Sequence, residues 1–245
     1  MEEYFDKNRY LAETSLMDCS AKSIRRLVEQ RGWRKLGEEQ KIREIYRFVR
    51  DDIRFGYNES DCIAASRVLR EGYGQCNTKA ILFMTLLRAV EIPCRIHGFL
   101  IDKKLQKGVM NGRMYRDAPD EVLHTWVEAL CKDKWYVMEG LILDSRYLKS
   151  LQAIFPNSRG TFIGYGAAVK DLHNLQVDWN RNHTYIQKEG IVQDLGTYDS
   201  PDELLNLYRQ KLGWMKGLIY RHIARRVMNR RVEQIRNHAA AFRCL

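Results

Sequence analysis

Proline is scarce in this chain of 245 residues, at four positions, and no apolar run approaches the length of a bilayer span. The longest, from Ala80 to Leu87, carries Thr85 and is far too short to cross a membrane as a helix. The first residues, Met1-Glu2-Glu3-Tyr4-Phe5-Asp6-Lys7, lack a basic stretch followed by an apolar one, so no secretory leader is expected. A soluble, cytoplasmic protein is the resulting expectation. The six cysteines (19, 62, 76, 94, 131 and 244) include no C-x-x-C pair, which argues against a zinc knuckle and leaves no metal expected. In a reducing compartment Cys62, Cys94 and Cys131 read as small buried apolar residues. Internal repeats and low-complexity runs are absent too, while an apolar content of 45% suits a packed core.

Charge is unevenly spread. The net value is +10, yet residues 209–245 hold ten basic side chains against the single acid Glu233, so residues 1–208 are nearly neutral. The basic residues are Arg209, Lys211, Lys216, Arg221, Arg225, Arg226, Arg230, Arg231, Arg236 and Arg243. A basic tail on a neutral body bears on partners rather than on fold. An apolar stripe (Leu212, Met215, Ile219, Ile223, Val227) predicts that the tail packs on the body with its arginines solvated. Docking of an acidic partner is the other reading. No RNA-binding signature accompanies the charge, so nucleic acid is not expected as the main partner.

Periodicity places helices over residues 14–31, 38–54, 63–70 and 76–92, the last stopped by Pro93. Residues 94–101 then read as a strand, 102–121 as a long surface excursion or lid, and 123–130 with 135–138 as a hairpin. Residues 150–170, with Pro156 and three glycines, read as irregular, and 185–187 with 191–192 as a pair of short strands around Gly190. Ser200, Pro201 and Glu203 form a capping-box start to a final helical region.

The stretch from Gly72 to Ala80 organises the rest. A glycine-rich turn delivers Cys76 to the start of a long apolar helix, where free N–H groups and the helix dipole favour the thiolate. A nucleophilic cysteine needs a base and a group that orients it. Of the six histidines, His124 has the most suitable context: on its strand it shares a face with Trp126 and Glu128, and the adjoining hairpin strand brings Glu139 level with it. Asp144 is a rival carboxylate. Gln75 and Tyr57 are candidate side-chain helpers at the oxyanion or substrate, and Trp126 a wall of the cleft or a core residue. The other histidines, including His97, show no ligand spacing.

In combination, Gly72-Tyr73-Gly74-Gln75-Cys76, the phrase Arg88-Ala89-Val90-Glu91-Ile92-Pro93, the strand His124-Thr125-Trp126-Val127-Glu128 and the strand Trp135-Tyr136-Val137-Met138-Glu139 resemble the transglutaminase-like superfamily, a branch of the papain-like cysteine enzymes, over about residues 40–145. The resemblance implies Cys76 as nucleophile, His124 as base and Glu139 as third member, where the family usually has Asp. It implies an α+β fold with a papain-like/transglutaminase-like core, a helix bundle packed against an antiparallel sheet, here with extra C-terminal helices. We expect an N-terminal helical segment (1–36), a catalytic core (37–170) and a C-terminal extension (171–245). The implied activity is a cysteine peptidase or amidase working through a Cys76 thioester, without a cofactor. The alternatives are an amine-accepting acyltransferase fed by an acidic carrier protein docked on the tail, and a binding module that has lost catalysis.

Overall fold

The computed structural model describes residues 7–208 and 223–237. The fold is α+β. At its centre lies a helix apolar on every side, α4 (Cys76–Ala89), in which Asn77 through Ala89 are all buried. Such a helix has no solvent face, so it must be wrapped. Helices α1 (Lys22–Gln30), α2 (Glu38–Arg47) and α3 (Ala65–Glu71) cover one part of it. A four-stranded antiparallel sheet covers another, in the order β5 (Lys134–Val137), β4 (Glu121–Cys131), β3 (Cys94–Asp102), β8 (Ile191–Tyr198).

The register of β3 on β4 divides the sheet residues between two faces. Pairs Cys94–Ala129 and Ile96–Val127 point into the main core with Leu123. Pairs Arg95–Glu128, His97–Trp126 and Phe99–His124 share the opposite face. The β4–β5 hairpin turns at Lys132 and Asp133, both with positive φ (48° and 62°), as a two-residue turn of the primed type requires.

Several boundaries differ from expectation. The predicted 14–31 helix shrinks to Lys22–Gln30; Asp18 accepts from the Ser66 N–H and so ties the preceding turn to α3. The 38–54 helix ends as a π-turn at Phe48–Asp52 and gives way to a short strand, β1 (Arg54–Phe55), parallel to β2 (Tyr73–Gly74). The 102–121 excursion is not open loop: it holds a 3-10 turn (Lys103–Gln106) and a short helix, α5 (Gly112–Arg116). Residues 145–154 form α6, capped by Asp144, where irregular chain was expected from 150. A small hairpin, β6 (Phe162–Gly164) with β7 (Ala167–Val169), follows. Residues 185–187 do not pair with 191–192; β8 pairs with β3 instead, because the sheet edge beside β3 offers a longer ladder than a two-residue hairpin. The capping signal at Ser200 does open a helix, α7 (Pro201–Tyr208).

The last element, α8 (Arg225–Arg236), corrects the reading of the tail stripe. Ile223 and Val227 face solvent at 61% and 44% exposure, while Met228, Val232 and Ile235 are buried. The packing face is thus one residue out of phase with the predicted stripe and continues past Asn229. Leu212, Met215 and Ile219, with five of the ten basic residues (Arg209, Lys211, Lys216, Arg221, Arg243), lie outside the described residues. The α8 side chains enter a second core with Phe55, Tyr57, Ile142, Leu143 and Tyr147.

One ion pair fastens α8. Arg236 is buried and donates through Nη2 to Asp144 Oδ2 at 2.8 Å and to the Phe55 carbonyl at 2.6 Å. Burial alone would raise the Asp144 pKa, but the guanidinium and the N–H groups of Phe55 and Tyr147 hold it below the ordinary carboxylate value. Replacing Arg236 with Met should therefore strand a buried carboxylate and cost roughly 3–5 kcal/mol. Urea unfolding at pH 7 measures it, and a change below about 0.5 kcal/mol would mean that the pair does not fasten the helix. Because the folded pKa of Asp144 is depressed, the stabilisation is present above the unfolded value of about 3.9 and is lost as pH falls through the folded value.

Candidate active site

Cys76 is the first residue of α4. The turn before it is fixed by reciprocal bonds between Gln75 and Thr78, with the Gln75 N–H donating to Thr78 Oγ1 at 3.0 Å. Gly74 is required there, since a Cβ would come within 2.7 Å of Thr78 Oγ1 and 2.9 Å of Lys79 Cγ. The Cys76 thiol is half-buried, with Sγ 3.6 Å from Asn77 Oδ1.

His124 sits in mid-strand on β4 with no exposed surface, and Nε2 lies 2.7 Å from Oε1 of Glu139, which is equally buried. Glu139 comes two residues after β5, and its other oxygen accepts from the backbone N–H groups of Ile186 (2.8 Å) and Gln187 (3.1 Å). The Glu139 backbone is pinned in turn to the Thr184 carbonyl. Burial alone would lower the His124 pKa. Its interactions with Cys76 and with Glu139 outweigh that and raise it to about 9. Nδ1, on the far side of the ring from Glu139, is buried and has no partner of hydrogen-bond geometry among the described residues.

The remaining sequence candidates fall as follows. Asp144 is remote from this pair: it caps α6, accepts from the Phe55 N–H and binds Arg236. Gln75 is buried and its amide is engaged, Nε2 donating to Asp61 and Oε1 accepting from the Asn58 N–H, both at 2.8 Å. Tyr57 is buried in the second core, edge-on to Phe55. Trp126 packs against Phe99, Tyr185 and His97 on the sheet face that carries His124, with its indole N–H toward Glu128. His97 is bracketed by Glu128 and Asp194, which raise its pKa against the opposing effect of burial.

Three buried residues escaped sequence reasoning. Asn77 donates to the Leu123 carbonyl at 3.3 Å and accepts from Thr125 Oγ1 at 3.0 Å, so the residue after Cys76 grips both neighbours of His124. Asn58 reaches Tyr73 O, Glu71 and Thr78 around the Cys76 turn. Lys79, one turn into α4, donates to the carbonyls of Arg50 and Ile142, and burial lowers its pKa to about 7. For Asn77 the usable signal was a polar residue at the head of an apolar helix. The others require knowing which carbonyls lie opposite. Among the described residues no cluster of His, Cys, Asp and Glu is arranged to hold a metal, and no helix is long and apolar enough to cross a membrane.

Comparison with known proteins adds the following. No curated protein matches the sequence. A solved candidate cysteine protease from Cytophaga hutchinsonii aligns at 13% identity and TM-score 0.45, over 82% of this chain and 50% of that one. Red sea bream transglutaminase aligns at 20% identity and TM-score 0.27, over 40% of this chain and 21% of that one. The chain thus spans half of the first protein's length and about a fifth of the second's. The sequence model of the transglutaminase-like superfamily matches residues 26–140, a span that contains Cys76, His124 and Glu139 and stops short of Asp144. Over residues 26–140, just under half of its length, the chain is similar to the transglutaminase-like superfamily.

Proposed function

We propose that the protein is a cysteine enzyme that opens an amide or related acyl bond through a thioester on Cys76, with hydrolysis as the outcome. The reading is carried by one observation: an imidazole and a carboxylate, both removed from water and 2.7 Å apart, in a chain whose half-exposed thiol starts the adjoining helix. A His124 pKa near 9 means that the ring is a cation at neutral pH, the state that stabilises a neighbouring thiolate.

In this reading the Cys76 thiolate attacks the substrate carbonyl carbon, forming a C–S bond while the oxygen takes up the charge. The Cys76 backbone N–H, without an intrahelical acceptor at the first position of α4, donates to that oxygen. The Nδ1 proton of His124 passes to the departing amine as the C–N bond breaks, leaving a thioester. Water then attacks the thioester carbonyl and gives its proton back to Nδ1; the C–S bond breaks and the thiolate is restored. Glu139 holds Nε2 throughout, which keeps Nδ1 as the nitrogen that moves protons. Glu in place of Asp adds a methylene, and the Ile186 and Gln187 N–H groups supply the support for the longer arm.

A second reading keeps the same thioester and passes it to an amine, with an acidic carrier protein as donor. What favours it is the exposed pair Arg226 and Arg230 on α8. Charge reversal at both should then slow turnover of a carrier-bound substrate, more at low salt than at high. Equal rates would remove this reading and leave the first intact.

Cys76→Ala should abolish both turnover of an acyl substrate and iodoacetamide labelling at that position at pH 6–7; residual activity at the native rate would reject the nucleophile. For Glu139→Gln, NMR titration should show the His124 midpoint moving down from about 9, since a cation loses its carboxylate. Because the folded pKa is raised, the pair stabilises the fold below about pH 6.5 and that gain disappears as pH rises through 9. The native–variant stability gap should therefore narrow over that window. An unmoved His124 midpoint would show that Glu139 does not hold the proton on the ring.

A further inference from the structure

The described part of the C-terminal extension touches the ribbon that leads into Cys76. Strand β2 runs directly into Gln75 and Cys76 and is paired on one side with β1: the Arg54 N–H donates to Gly72 O and the Gly56 N–H to Gly74 O, each at 3.0 Å. Among the described residues no further strand continues the ladder beyond β1. Side chains take its place. Asp144 accepts the Phe55 N–H, Arg236 donates to the Phe55 carbonyl, and Asn229 makes both bonds to Tyr57, accepting its N–H at 2.7 Å and donating to its carbonyl at 3.0 Å. The amide of Asn229 thus pairs with Tyr57 as a neighbouring strand would.

The contacts from α8 lie on one stripe. Arg225, Asn229, Val232 and Arg236 recur at helical spacing, and Arg225 Nη1 lies 3.4 Å from the Tyr73 hydroxyl on β2. The approach leaves little room at Gly56, where a Cβ would meet Asn229 Oδ1 at 3.2 Å and the Tyr73 ring at 3.1 Å. From Tyr57 the connection to the thiol is short. The next residue, Asn58, is fully buried; it donates its N–H to Gln75 Oε1 and its side-chain amide to Tyr73 O, and its Oδ1 accepts from Thr78 Oγ1. Three residues around the Cys76 turn, Tyr73, Gln75 and Thr78, are therefore tied to a backbone segment whose outer edge is held by α8.

We infer that α8 is a positioning element of the Cys76 site and Asn229 its positioning residue: by pairing with the Tyr57 backbone it holds Asn58 and Gln75 in register and sets where the thiol stands relative to His124. This rests on Cys76 being the nucleophile proposed above. Replacing Asn229 removes two hydrogen bonds from the Tyr57 backbone and lets the ribbon shift. A shift of the thiol away from the imidazole lengthens the path over which the proposed proton transfer must run.

The test is the pH profile of Cys76 alkylation by iodoacetamide in the full chain, read at the Cys76 peptide by mass spectrometry between pH 5 and 9 and below the melting temperature of each variant. Asn229→Ala should react about 10-fold more slowly at pH 6–7 than the native protein. Asn229→Asp keeps the acceptor for the Tyr57 N–H but sets a carboxylate against the Tyr57 carbonyl, and it should fall between; it carries the comparison if the Ala variant does not fold. Gln234→Ala, on the exposed side of the same helix, should follow the native profile. A native-like profile in the Asn229 variants, at whatever melting temperature, overturns the inference and makes Asn229 a stabilising residue only. An ordinary thiol profile in the native protein itself would instead reject Cys76 as the nucleophile, and the clamp with it.

Discussion

A carboxylate buried away from water has to be satisfied by protein groups, and Glu139 is satisfied from three sides: the imidazole of His124 and two consecutive backbone N–H groups, those of Ile186 and Gln187. Much of the surrounding architecture follows from that requirement. Strand β4 must run where it holds His124 level with the end of the hairpin. The segment from Thr184 to Gln187 must turn its N–H groups inward rather than form a strand of its own. Thr184 serves both ends of this arrangement, accepting the Glu139 N–H on its carbonyl and the Gly140 N–H on its hydroxyl. The chain downstream of residue 140 thus completes a pair that lies within the family-matched span.

Helix α4 stands against this pair by a separate set of ties. Asn77 holds it to β4 on either side of His124, and Lys79 holds it to the turn that follows Glu139 through the Ile142 carbonyl. A polar side chain inside an apolar helix is costly unless bonded. Here each polar residue of the first turn has a partner on a strand or turn that bears on the site. Behind them a second core, built from Phe55, Tyr57, Tyr147 and the inner face of α8, backs the ribbon leading to Cys76. Helix α8 contributes to the same interior as Phe55 and Tyr147, and its buried Arg236 joins Asp144 to the Phe55 backbone.

The sequence was most readable where one physical pattern ruled. A helix apolar on all sides, a glycine turn before it, and a strand alternating His, Trp and Glu against Thr and Val gave the core and the three residues on which the chemistry is proposed. It misled where a pattern had two solutions. Ile223 and Val227 recur at helical spacing with earlier apolar residues, yet the face that packs holds Asn229 and Arg236, polar residues that a hydrophobic count assigns to solvent. Their burial depends on Tyr57 and Asp144, 172 and 92 positions away in the chain. That Asp144 is bound by Arg236, 92 positions away, likewise could not be read from composition. Asn58 had no signature because its partners, Glu71, Tyr73, Gln75 and Thr78, lie 13 to 20 positions further along the chain.

The account stands on a covalent bond to Cys76, and intact-mass spectrometry after mixing with an activated acyl donor addresses it directly. The account predicts a mass increase equal to one acyl group, mapped to the peptide holding Cys76 and removed by hydroxylamine as a thioester is. An unmodified Cys76 under turnover conditions, or an acyl group found on Cys19 or Cys62 instead, would contradict it.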